Sequence, residues 1–293
     1  MANIQAEIEN CVLVHEGFTF HVRSLPGLDD DLPPVICIGG AFQSIGSWKA
    51  TADYFQPQRR VLLVDLPGMG ESDWLPHSYG LDYLAGCIES CLDWAGCETV
   101  DILAASYGSL VTYRFAQLYP HRVQHMALVG VMADFEEEHR RLVLEHLDRV
   151  ERDEADFAEE VLEFLVSQTV RRRVRRGRAV VRVLRKQLEQ LSAEEINKYV
   201  DNTRRLLNHE PLDLMNPPRV PALVFTGEHD HLTKPAWNRE IAAAIPGSIF
   251  TTVRDADHLC HLEQFDTAID LVSCFFDDHS LADVRGRTDL ERF

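Results

Sequence analysis

Ile102-Leu103-Ala104-Ala105-Ser106-Tyr107-Gly108 is the stretch on which the reading of the chain turns. Val100–Ala104 is a short apolar run of strand type, and Tyr107–Leu118 has helical spacing and stops before Pro120. A serine between them stands on a tight strand-to-helix turn. Its hydroxyl is pushed out at the carboxyl edge of a sheet. The helix N-terminus behind it offers unpaired N–H groups and a positive dipole end. Small neighbours suit so crowded a turn. Ser106 is therefore a candidate nucleophile; the competing reading is an ordinary N-cap serine.

Outward from this turn the chain alternates strand and helix. Cys11–His15 and Phe18–Arg23 flank Glu16-Gly17 and predict a hairpin. Val35–Ile38 and Val61–Asp65 are buried-strand runs, with a short helix over Ser47–Tyr54 between them and an amphipathic segment at Tyr79–Trp94. Met126–Val131, Ala222–Thr226 and Ser248–Val253 predict further strands, with helices near Ala236–Ala244 and Glu263–Phe275. Continuous apolar strands alternating with helices predict the α/β class: a mostly parallel twisted sheet with helices on both faces. The rhythm breaks from Ala133 to about Pro218, where Val161, Leu162, Leu165 and Val166 keep helical spacing in polar sequence. The expected organisation is a core over 1–132, a helical cap over 133–218, the second part of the core over 219–278 and a polar C-terminal tail over 279–293. Extra packing helices are the plainer reading of the inserted segment.

Two partners for Ser106 follow in order. Phe225–Asp230 runs off one predicted strand, and Asp255-Ala256-Asp257-His258 follows the next. His258 can act as general base and then general acid, with Asp230 orienting its imidazole. One strand-helix unit separates them, so both reach the sheet edge that holds the serine. Ile38-Gly39-Gly40-Ala41-Phe42 closes an earlier strand with a glycine-rich turn. The backbone N–H groups of Ala41 and Tyr107 are the candidate oxyanion donors, and Phe42 is a candidate substrate contact. Asp65–Ser72 is a turn-rich loop at the same edge and reads as architectural. His229, His231, His258 and His261 invite a metal reading. Side chains flanking Asp230 in an extended loop point apart, however, so no metal is expected. His261 is the reserve candidate for the base.

These four motifs resemble the α/β-hydrolase superfamily across nearly all of residues 11–276. More narrowly, Gly39–Phe42, Ala105–Gly108 and Val253–Glu263 are similar to bacterial 3-hydroxyacyl transacylases and hydroxyalkanoyloxyalkanoate synthases. That resemblance implies the α/β-hydrolase fold and acyl groups taken from carrier protein or coenzyme A. The chain departs from common superfamily patterns at Gly39, where histidine is frequent, and at Ala104 and Asp257, where glycine is. Epoxide hydrolases and haloalkane dehalogenases share the fold but place a carboxylate at the nucleophile position, so Ser106 argues against both.

The 293 residues are 45% apolar, ample for a sizeable core. The N-terminus has neither a basic nor an apolar leader region, and no run reaches the length of a membrane span. The seven cysteines are odd in number and scattered through apolar segments, which predicts reduced thiols and a cytoplasmic protein. A net charge of -18 argues against a nucleic-acid partner. One segment runs the other way: residues 171–186 carry eight arginines and Lys186 with no acid, while 134–163 holds thirteen acids against four arginines. Arg171, Arg172 and Arg173 are candidate contacts for an acidic carrier protein or the phosphates of coenzyme A. Pairing between the acidic and basic helices is the competing reading.

The expected function is hydrolysis of an acyl ester or thioester through an acyl-enzyme, without a cofactor. Transfer of the acyl group to an alcohol or thiol, and a non-catalytic binding protein of the same fold, are the alternatives.

Overall fold

A computed structural model describes residues 8–29, 31–152, 156–167, 173–174 and 176–293. Among these residues nine strands form one sheet: β1 (Glu9–His15), β2 (Phe18–Leu25), β3 (Val35–Ile38), β4 (Val61–Asp65), β5 (Val100–Ala105), β6 (Val123–Val129), β7 (Ala222–Gly227), β8 (Ile249–Val253) and β9 (Glu291–Arg292). Their spatial order is β1-β2-β4-β3-β5-β6-β7-β8-β9. The six strands β3 to β8 run parallel, and the two at one edge and one at the other are antiparallel. The hairpin turn uses positive φ at Glu16 (43°) and Gly17 (94°), the backbone twist that a two-residue connection requires.

The strand side chains divide between two cores by the period of two. Ile36 and Ile38 point to one face, under α2 (Leu81–Ala95) and α3 (Tyr107–Leu118). Val35 and Cys37 point to the other, under α1 (Lys49–Phe55) and α10 (Phe265–Phe276). Both faces are covered, which is why these strands are continuously apolar. All seven cysteines are free, five of them buried.

Among the described residues four helices intervene between β6 and β7: α4 (Glu137–Glu151), α5 (Phe157–Leu165), α6 (Gly177–Leu188) and α7 (Ala193–Asn208). Their starts are written locally. The Asp156 side chain caps α5 by accepting the Glu159 N–H at 3.0 Å, and Ser192 with Glu195 forms a capping box on α7. They share a third core, in which Val161, Leu162, Val181 and Tyr199 pack with Phe135 and Leu232. After β7 come α8 (Pro235–Ala244) and α9 (Cys260–Glu263). No described helix is long and apolar enough to cross a membrane.

Two details differ from the sequence expectation. The last helix is broken at Gln264 (φ -127°, ψ 51°), which separates α9 from α10. The polar segment 279–293 is also not a free tail. Its end pairs with β8, and Gly247 N–H and Phe293 N–H exchange bonds with Phe293 and Ser248 carbonyls at 2.8 and 3.1 Å. An edge strand is held by its backbone, so a polar sequence conceals it.

Candidate active site

Ser106 joins β5 to α3 with φ 50° and ψ -117°, a conformation that L-residues rarely adopt. The turn is fixed by its neighbours. Ser106 N–H donates to the Val129 carbonyl on β6 at 2.7 Å. At Gly108 a Cβ would lie 2.5 Å from the Ile38 carbonyl oxygen, so only glycine lets α3 approach β3 this closely.

His258 follows β8, and Asp230 follows β7. Both are 3% exposed. Ser106 Oγ lies 3.1 Å from His258 Nε2, and His258 Nδ1 lies 3.0 Å from Asp230 Oδ2. The Asp230 carboxylate is saturated with donors. Oδ1 accepts the N–H groups of Leu232 and Thr233 at 2.9 and 2.8 Å, and Oδ2 accepts the Thr226 and Thr233 hydroxyls. Burial pushes the Asp230 carboxyl up, but the His258 imidazole and the two hydroxyls outweigh it and hold it below the ordinary carboxylate range. Burial pushes His258 down, and the Asp230 charge pulls it back to a net rise.

The chain therefore brings the three expected side chains into one relay. It places the backbone candidates close by. Ala41 lines a pocket of about 190 Å³ together with Ser106 and His258. Tyr107 opens α3, so its N–H belongs to the first turn, which has no acceptor within the helix. A Cβ on Gly40 would lie 3.1 Å from Ser106 Cβ, which shows how closely the glycine turn approaches the serine. Phe42 lines the same pocket with φ 64° and stacks on Tyr199 of α7, ring centroids 4.4 Å apart. The rest of the wall is mostly apolar, with Leu165 from α5, Val183 and Leu184 from α6, and Leu262.

The remaining imidazoles do not converge. His229 turns to Glu228 at 3.0 Å and His231 to Asp257 at 3.1 Å. The imidazole that meets the serine is His258, whereas His261 lines the same pocket turned to another partner. Its Nε2 meets Gln43 Nε2 at 3.1 Å, and burial pushes it down to about 3, which corrects its reserve role as a base. Among the described residues, three donor atoms come within 4.8 Å of one another at Glu228, His229 and Asp255, an ordinary partly exposed grouping.

Of the basic candidates, Arg171 and Arg172 lie outside the described residues, and Arg173 is exposed and does not line this pocket. Among the described residues the acidic and basic helices pair through Arg185 of α6 and Glu159 of α5. Arg178, Arg182 and Lys186 form no ion pair among the described residues. Sequence reasoning missed Gln43, Thr226, Thr233 and Gln187, each of which acts through a partner distant in the chain or hidden in a loop. Gln187 Nε2 donates to the Phe42 carbonyl at 2.7 Å and so ties α6 to the glycine turn.

A parallel sheet covered on both faces, with serine, imidazole and carboxylate gathered at its carboxyl edge, defines a hydrolase scaffold. The chain belongs to the alpha/beta hydrolase fold family, whose match covers residues 33–265. A 2-hydroxy-6-oxo-2,4-heptadienoate hydrolase of Pseudomonas putida F1 is 26% identical over 137 residues, 45% of this chain and 48% of that protein. Epoxide hydrolase 1 of Caenorhabditis elegans is 29% identical over 104 residues, 35% of this chain and 26% of that protein. The chain thus spans about half, or less, of the length of these curated relatives. The enol-lactonase of Burkholderia xenovorans LB400 superposes with a TM-score of 0.79 at 20% identity, over 91% of this chain and 100% of that one.

Proposed function

We propose that this protein hydrolyses an acyl ester or thioester by way of an acyl-Ser106 intermediate. The observation that carries the reading is the Ser106–His258–Asp230 relay, at 3.1 and 3.0 Å, with the serine held at positive φ. Ser106 Oγ attacks the acyl carbonyl while His258 Nε2 takes its proton. Asp230 holds the Nδ1–H tautomer and stabilises the imidazolium. The N–H groups of Ala41 and Tyr107 meet the oxyanion. The C–O or C–S bond then breaks, and His258 returns the proton to the leaving group. Water, deprotonated by His258, releases the acid and restores Ser106. The largely apolar wall supplied by α5 and α6 suits an acyl chain.

A second reading, acyl transfer from a carrier protein or coenzyme A thioester to an alcohol or thiol, draws support from α6. Val183 lines the pocket yet is 67% exposed, and Lys186, which has no ion pair among the described residues, is its neighbour one turn along. A phosphate-bearing carrier arm would meet cations at that rim.

A fluorophosphonate probe tests the serine chemistry. Wild type is expected to label and Ser106→Ala is not. An unlabelled wild type, or equal labelling of both, sinks the enzyme reading and favours a binding protein. Products identified by mass spectrometry separate the two enzymatic readings: free acid alone means hydrolysis, whereas a new ester or thioester with an added hydroxyacyl acceptor means transfer.

A further inference from the structure

A second imidazole–carboxylate pair adjoins the relay. Asp257 is 1% exposed and directly precedes His258. Its Oδ1 accepts the backbone N–H of His258 at 2.9 Å and faces His231 Nδ1 at 3.1 Å. Its Oδ2 accepts the Ser167 N–H at 2.8 Å, just beyond α5. Every contact that the carboxyl group makes is as an acceptor. The other nitrogen of His231, Nε2, lies 3.0 Å from the Phe164 carbonyl of α5. A carboxylate and a carbonyl oxygen only accept, so both ring nitrogens of His231 must donate. The geometry calls for an imidazolium.

We propose that Asp257 and His231 form a positioning pair: Asp257 holds the backbone of His258, and the charged His231 ties that carboxylate to α5, so that placement of the base depends on the charge of His231. The inference rests on His258 being the base.

The surrounding charges agree with it. Facing His231 are Asp257, Asp230 and His258 from the catalytic loops and Lys234 from its own loop. From the inserted helices come His139, His146, Arg149, Glu138, Glu160 and Glu163, with Glu136 just ahead of α4. Burial pushes His231 down, but the bond and charge of Asp257, with the Phe164 carbonyl and Asp230, raise it overall. A raised histidine contributes fully at low pH, and the contribution is lost as pH climbs through the folded value. His258 must be neutral to act, so activity first rises with pH. The pair therefore implies a bell-shaped kcat/KM profile, since His258 must have lost its proton while His231 keeps its own.

The test uses the full chain and a p-nitrophenyl ester from about pH 5 to 9. His231→Gln, which cannot titrate, is expected to lose the alkaline limb, with kcat lower by roughly 10-fold and KM little changed. Asp257→Asn is expected to lower kcat similarly. In nitrogen-15 spectra of wild type, His231 should carry hydrogen on both ring nitrogens near neutrality, and its midpoint should fall in Asp257→Asn. A His231→Gln profile that keeps the alkaline limb overturns the pair, as does a His231 that is neutral near its ordinary midpoint. Should the variants fail to fold, the wild-type spectrum alone decides. Fluorophosphonate labelling keeps the two readings apart. An unlabelled wild type removes the base and this inference with it. Labelling with an unchanged profile removes only the pair.

Discussion

Gln43 couples two loops that no strand connects. Its Oε1 accepts the Gly40 N–H at 2.8 Å, so the amide nitrogen must face His261 Nε2 and donate to it. His261 then carries its hydrogen on Nδ1. The effect is to pin the peptide beside Ala41, the proposed oxyanion donor. Gln43→Ala removes both bonds and frees the glycine turn. The expected result is a loss of kcat of roughly 10- to 100-fold with a smaller change in KM, because positioning matters most in the transition state. Steady-state kinetics check this, and an unchanged kcat would show that the turn is held by other contacts. The contrast with the relay residues explains what a sequence discloses. Ser106, Asp230 and His258 are legible because each stands at a strand end and their order is fixed by the fold. Gln43 pairs with residue 261, and Asp257 reaches residues 231 and 167. Such partners are set by where loops lie in space, and no local pattern marks them.

At the scale of elements, α7 is fastened by a buried cation. Arg205 is 1% exposed and finds no carboxylate among its hydrogen-bond partners. Its donors go to the Leu75, Pro76 and Tyr79 carbonyls, to Asn202 and to the Tyr107 hydroxyl at 2.9 Å. One side chain thus links an inserted helix, the loop before α2 and the residue that follows Ser106. Arg205→Met leaves three carbonyls without these donors, that of Leu75 buried and those of Pro76 and Tyr79 partly so, at roughly 1–3 kcal/mol for the buried one and less for the others. Arg205→Lys keeps the charge but has three donors and no planar fork, so it should fall between the two. Urea unfolding gives the ranking, and a methionine variant as stable as wild type would contradict it. The helical spacing of 133–218 is legible in the sequence, whereas the Ser192–Glu195 capping box that starts this helix emerges with the structure. Its mode of attachment is not legible either, because an arginine in a polar helix reads as a solvated one. The same limit applied to α6, where Val183, Leu184 and Gln187 became pocket wall and charge was the louder signal.

For the molecule as a whole, pH and stability are linked through several buried groups. His125, His231 and His258 are each raised, in every case because carboxylate partners outweigh burial. Histidines raised on folding lose their contribution as pH climbs through the folded value. Glu263 is pushed up to about 7 by burial, and the Asp257 N–H is its bond partner. A carboxyl group raised on folding binds its proton more tightly in the native state, so it too lowers stability as pH rises toward 7. His139, His146, His209 and His261 are lowered by burial and act in the opposite sense, but only below the ordinary histidine value. As pH passes about 6.5 the unfolded histidines titrate and this opposition fades, until above about pH 7.5 the raised groups act alone. The formal charge of -18 also grows more negative there and adds self-repulsion. Thermal stability should therefore fall from about pH 7 to 8.5, at roughly 2–4 °C in Tm for each kcal/mol lost. Glu263→Gln cannot ionise, so it should flatten the early part of that fall and leave the part due to the histidines. Melting curves at constant ionic strength provide the measurement, and a Tm that holds level or rises over this range would mean that the carboxylate–imidazole contacts do not govern the native state.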